Sequence, residues 1–347
     1  MRSGVSPGQT LKPSNGRPDG IFRRQRLQRM WPASGYRSIL LDKSDRPLVA
    51  IDRTIRSALS NGLPGRWTPP HKSELGDRSE AHFLLGLYRT IFHSNHGHTQ
   101  EALTALRRIM QESETAQIRA RAAQYWCQIL LTESLDRGQD NQREAEQRSE
   151  KECRDLCERA ATEFKDFDWS GTISHIFHAA LGILDYYSGD RLAAKFHLSR
   201  SLEQYSRIRN RYDKSTWVIA LVHYYTGVLA NESNDVPNAL KYLKIAVTEV
   251  PPQMEITALM QLASASLKAG DARGAKKFAK RGLKSPSLKE LGKEITSELK
   301  AWLAEAELDL GRKRDAAKLF QELIESGDAP HWESRARQIL RTIAKDA

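Results

Sequence analysis

The chain has 347 residues, with 54 Lys and Arg against 43 Asp and Glu, a formal net charge of +11. No run of about eighteen apolar residues occurs, which argues against a membrane-spanning helix. Three cysteines, an odd number, argue against a disulfide framework, and no charged-then-apolar leader with a cleavage site is visible, so a cytoplasmic, intracellular chain is expected.

The charge is uneven along the chain. Residues 1–76 hold 14 basic and 5 acidic residues, so nearly all the basic excess sits there. Residues 1–20, rich in Gly, Pro and Ser, have too few apolar side chains to offset chain entropy and are expected to be disordered. Arg23, Arg24, Arg26 and Arg29 follow, flanked by Phe22 and Trp31. This run admits three readings: a solvated arm, a nuclear or organellar address, or phosphate contacts with an aromatic to stack on a base. Leu48, Ile51, Ile55 and Leu59 then predict a short helix over 47–59. It could pack on the first element of the following domain or lie along that domain as an internal ligand.

From residue 77 onward a pattern recurs. The clearest copy has Gly227 in an apolar stretch, a turn signal at Asn234-Asp235, then Ala239, Leu243, Ala246 and Pro251. Gly182 is followed by Gly189-Asp190 and Ala194, Ala263 by Gly270-Asp271 and Ala275, and Ala304 by Gly311, Ala316 and Phe320. Gly86 is followed, after an insertion, by Gly97, Ala102, Leu106 and Ile109. Each copy reads as two amphipathic helices that touch at small residues, the first ended by a residue that tolerates a left-handed conformation. Between the first two copies, 116–133 and 143–164 form a helix pair by position, with Cys153, Leu156, Cys157, Ala160 and Phe164 on one stripe. Residues 331–347 fit a terminal helix with Ile339, Leu340 and Ile343 inward and Arg335, Arg337, Arg341 and Lys345 around the rest.

Over roughly 78–330 these copies resemble the tetratricopeptide repeat, a helix–turn–helix unit of about 34 residues with small residues where its helices meet. The copies are degenerate: the consensus tryptophan is missing, and successive anchors lie 45, 36 and 41 residues apart from Gly182 onward. The resemblance implies an all-α, right-handed α-solenoid of about six antiparallel helix pairs with a C-terminal capping helix, spanning 77–347 after a basic arm over 1–76.

Such repeats bind peptides or helices of other proteins in a concave groove lined by the first helix of each pair. Matched position by position, the groove falls on Phe83, Leu87, Ile183, Tyr186, Tyr224, Val228 and Met260. These side chains are apolar and aromatic, so the expected function is a non-catalytic adaptor for an apolar peptide or amphipathic helix. The alternative is a repeat protein associated with RNA or DNA. It would use the N-terminal arginines and a basic stripe of Lys276, Lys277, Lys280, Arg281 and Lys284, which lacks acids between Ala272 and Lys289.

No catalytic site is expected. His93, His96 and His98 share one polar turn without a nearby carboxylate in the loop, and His175 and His178 lack the glutamate and spacing of a hydrolytic zinc motif. Gly4-Val5-Ser6-Pro7-Gly8 lies in the arm, with no strand before it to make a nucleophile elbow. Cys153 and Cys157 lie one turn apart with no further ligand near in sequence and read as buried apolar residues. No cofactor and no metal are expected.

Overall fold

The computed structural model describes residues 40, 46–60, 79–95, 98–136, 143–167, 169–208, 216–250 and 252–345. Among them the chain is helical without a strand, and consecutive helices pack against one another. None of these helices is long and apolar enough to cross a membrane. The arm's arginines, and His96 and Gly97 of the histidine turn, lie outside the described residues. The helices fall into two compact units that divide between Val222 and His223.

The unit that ends at Val222 contains α1 (Arg46–Ser60), α2 (Ser79–Asn95), α3 (Thr99–Glu112), α4 (Ala116–Asp136), α5 (Arg143–Glu163), α6 (Ser170–Ser188) and α7 (Arg191–Arg207). Each packs on the next, and alternate helices also meet: α2 on α4, and α4 on α6. That alternation is what stacked two-helix units produce. The helix expected over 47–59 is α1. It packs on α2, and its buried Asp52 accepts a hydrogen bond from Tyr88 at 2.6 Å and pairs with Arg56 at 2.8 Å.

The helix α8 (Thr216–Glu232) carries the division point, and the unit beyond it continues with α9 (Val236–Glu249), α10 (Pro252–Lys268) and α11 (Ala272–Leu283). A short 3-10 turn over Pro286–Glu290 leads to α12 (Gly292–Asp309), α13 (Lys313–Ser326) and α14 (Pro330–Lys345). Neighbours again pack in sequence from α9 to α14, and α10 also meets α12.

The repeated anchors sit where helices touch. A Cβ built on Gly227 would lie 2.7 Å from Leu243 Cγ and 3.0 Å from the Leu243 backbone nitrogen. Gly182 meets Leu198 in the same way, at 2.8 Å and 3.0 Å. In both cases the partner stands 16 residues further on. At that offset Ala263 shares an apolar cluster with Ala279, and Ala304 with Phe320. The alanines that open the second helices, Ala102, Ala194, Ala239, Ala275 and Ala316, are completely buried.

The turns between these helices repeat as well. Gly189, Gly270 and Gly311 adopt left-handed φ of +89°, +75° and +76°, and Asn234 takes their place at +59°. Asn is the residue, after Gly, that bears this conformation best. Asp190, Asp235 and Asp271 come next and cap α7, α9 and α11, each accepting a backbone N–H three residues on. Such a cap contributes about 1 kcal/mol. Gly311 is followed by Arg312, which has no capping oxygen, so α13 starts without one.

The terminal helix differs from expectation in its polar contacts. Trp332 is buried edge-on against Trp302, with ring centroids 4.9 Å apart, and donates Nε1–H to Glu298 at 3.1 Å. Arg335 is exposed, as expected of the outer face, and its guanidinium also pairs with the buried Glu305 of α12. A buried glutamate is costly unless paired, and Arg335 supplies the opposing charge.

Two glycines of the same unit separate tight packing from mere smallness. At Gly182 an added methyl meets backbone, so Gly182→Ala should lose about 1–2 kcal/mol, overpacking outweighing the gain in helix propensity. At Gly86 the nearest atom is the side-chain end of Ile109 at 3.3 Å, which can give way. Gly86→Ala should therefore be neutral or up to about 1 kcal/mol stabilising. Denaturant unfolding of both variants checks this ordering, and equal effects would contradict it.

Candidate partner-binding surfaces

The proposed groove residues do not share one environment. Leu87, Ile183 and Val228 are buried, while Phe83, Tyr186, Tyr224 and Met260 are half-buried. The first three are turned into the packing between helices, so they support a surface and are not part of one. A side chain at a first-helix position points outward only where the neighbouring repeat leaves it uncovered, and that depends on spacing the sequence pattern does not carry.

In the unit that ends at Val222, Phe83 stands on α2 and Tyr186 near the end of α6. The Arg191 guanidinium lies over the Tyr186 ring at 4.1 Å, and Tyr187 meets it edge-on at 5.6 Å. In the unit that begins at His223, Tyr224 stands on α8 with Tyr225 edge-on at 5.1 Å, and Met260 stands on α10. These two helices are tied side by side. Asn231 donates to Gln261 at 2.9 Å, and Lys268 donates to the Asn231 carbonyl at 2.5 Å. Burial holds the Lys268 ammonium below the usual lysine range, against the opposing pull of Glu232.

The basic stripe on α11 needs correction. Lys276 is not free: its ammonium sits 2.7 Å from Glu307, a buried carboxylate of α12, and Arg312 reaches the same carboxylate at 3.5 Å. Arg281 pairs with Glu255 of α10 at 2.5 Å. The neutralising acids come from neighbouring helices, 31 and 26 residues away in the chain, which is why the local sequence suggested bare charge. Lys277, Lys280 and Lys284 remain exposed, with no acidic partner among the described residues.

Of the histidines, His98 is exposed and lies 3.7 Å from Glu101. His178 does not act with His175. It stacks on His197 of α7, with the two Nδ1 atoms 3.1 Å apart, so one ring must donate the single proton they share. Beside them Asp185 is buried and pairs with Arg154 of α5 at 2.7 Å, while His197 Nε2 stands 3.9 Å from it. Burial, and then the facing His197, push the His178 imidazole down to about 4. Burial also lowers His197, with Asp185 pulling the other way.

Sequence reasoning read Cys153 and Cys157 as buried, which they are, but did not bring Cys127 to them. Cys127 of α4 faces Cys153 and Cys157 of α5, and all three are buried. Cys127 lies between Trp126 and Gln128, 30 residues before Cys157, and only the pairing of α4 with α5 brings them together. A scan against protein-family models and a search of curated proteins both return no match for this chain.

The histidine pair makes a pH prediction. Its folded values lie below the ordinary 6.5, so the unfolded chain binds protons first as pH falls. Stability from this site is therefore complete above about 6.5 and lost as pH drops toward about 4. Thermal melts between pH 7.5 and 4.5 should fall less steeply for His178→Gln than for the wild type. Parallel slopes would remove the pair as a cause of acid sensitivity.

Proposed function

We propose that the chain is a non-catalytic adaptor of the tetratricopeptide kind: a right-handed α-solenoid of about six antiparallel helix pairs closed by α14. Its ligand is a peptide or amphipathic helix of another protein. The single observation that carries this reading is the placement of Tyr224 and Met260. Both are half-buried on first helices that hydrogen bonds hold side by side, and the small-residue contacts of α8 with α9 and α10 with α11 fix those helices from behind.

A pre-positioned ring loses little entropy when a partner covers it, and aromatic anchors in rigid surroundings supply most of the energy of such contacts. Phe83 and Tyr186 offer a similar surface on the other unit. No Asp, Glu, Lys or Arg lies between Lys214 and Glu232 along the chain, which favours an apolar ligand over an acidic terminus. Nucleic-acid association is the lesser reading, because Lys276 and Arg281 are committed to Glu307 and Glu255 and leave Lys277 and Lys280 exposed on that helix, with Lys284 just past its end.

Affinity capture with the full chain, compared with Tyr224→Glu, tests the adaptor reading. Proteins captured by the wild type should be lost, with a cost of about 2 kcal/mol or more in affinity and unchanged circular dichroism. A Tyr224→Glu chain that keeps its helicity and captures the same proteins as tightly would move the binding surface elsewhere.

A further inference from the structure

The α4–α5 pair lacks the glycine-or-alanine signature that the other pairs share, and it carries the three thiols instead. Cys127 Sγ lies 3.1 Å from Cys157 Sγ and 3.9 Å from Cys153 Sγ, and all three sulfurs fall within 4.8 Å of one another. Cys153 and Cys157 are one turn apart on α5, so their side chains share a face, and Cys127 comes from the opposing helix to complete a triangle.

A metal with thiolate bonds of about 2.3 Å at the centre of an equilateral sulfur triangle requires sulfurs about 4 Å apart. The Cys127–Cys153 spacing of 3.9 Å matches that value, and the Cys127–Cys157 edge at 3.1 Å would open by about 1 Å to admit the ion. No carboxylate or imidazole among the described residues joins the three sulfurs in one group. The thiols are completely buried, with Ala123, Leu130, Leu156 and Ala160 buried along the same two helices.

That donor set discriminates between metals. Structural zinc takes four ligands, and an open zinc site takes its fourth from water, which burial disfavours here. Three soft sulfurs without a fourth donor suit a monovalent d10 ion. We propose that Cys127, Cys153 and Cys157 form a three-coordinate thiolate site for Cu(I). Each S–H that becomes a Cu–S bond releases its proton to solvent. The Cu(I) charge offsets one of the thiolate charges. The Cys153 Sγ also lies 3.8 Å from the Cys127 backbone carbonyl, so α5 seats this thiol directly against α4. Bound metal would clamp α4 to α5.

The test uses the full chain, reduced and handled without oxygen. Cu(I) is supplied in competition with a chromogenic Cu(I) chelator, and Zn(II) is titrated separately. One equivalent of Cu(I) per chain is expected, with X-ray absorption reporting three sulfur ligands and a raised melting temperature. Cys127→Ser and Cys153→Ser, where circular dichroism shows them folded, should each weaken binding by about a hundredfold or more. If they do not fold, the ligand count on the wild type decides alone. The proposal is overturned by failure to compete with the chelator, by fewer than three sulfurs on copper, by Zn(II) binding in preference to Cu(I), or by folded variants that match the wild type. A Cys127–Cys157 disulfide that leaves no copper uptake after reduction overturns it equally.

Discussion

Two helices of this chain can lie side by side only because one of them presents almost nothing at the point of contact. At Gly182 and Gly227 the paired helix comes so near that a single methyl would overlap its backbone nitrogen, 16 residues further along. Close contact gains dispersion energy over the whole length of the pair, and the interior then packs at crystal-like density. The left-handed residue and the aspartate cap that follow serve the same contact. They reverse the chain in a few residues and deliver the second helix at the right register. Where the anchor is alanine, the opposing group adapts, as Ala279 does opposite Ala263.

Much of this was legible in the sequence because it is local. Helical periodicity, small anchors and turn residues all act within about 20 residues, and the boundaries of α1, α4 and α5 follow from them to within a few residues. What was not legible depends on groups far apart in the chain. Glu307 neutralises Lys276 and Glu305 holds Arg335 because neighbouring helices meet, and neither pairing leaves a trace in spacing along the chain. The same limit explains the groove. The residues taken for a groove stand on α2, α6, α8 and α10, but burial of Leu87, Ile183 and Val228 depends on how far each neighbour overlaps.

Part of the polar interior runs from α4 to α7. The α4–α5 pair holds the three thiols, and Arg154 of α5 reaches Asp185 of α6, next to the His178–His197 stack. Buried polar groups of this kind are worth little as isolated stabilisers but are costly to break, so they fix one arrangement against alternatives. Helices joined by generic apolar contact can slide along one another. An ion pair such as Arg154–Asp185 sets the register of α5 on α6, as the glycine contacts set it elsewhere.

The account stands or falls on whether those glycines are required by their neighbours and not by chance of composition. A double-mutant cycle at Gly227 and Leu243 measures this directly by denaturant unfolding. Adding the methyl with Gly227→Ala and making room with Leu243→Ala should be non-additive, the pair of changes costing at least about 1 kcal/mol less than the sum of the two alone. Additivity within about 0.5 kcal/mol would mean that the two residues do not compete for the same space, and the contact on which the repeat arrangement rests would be lost.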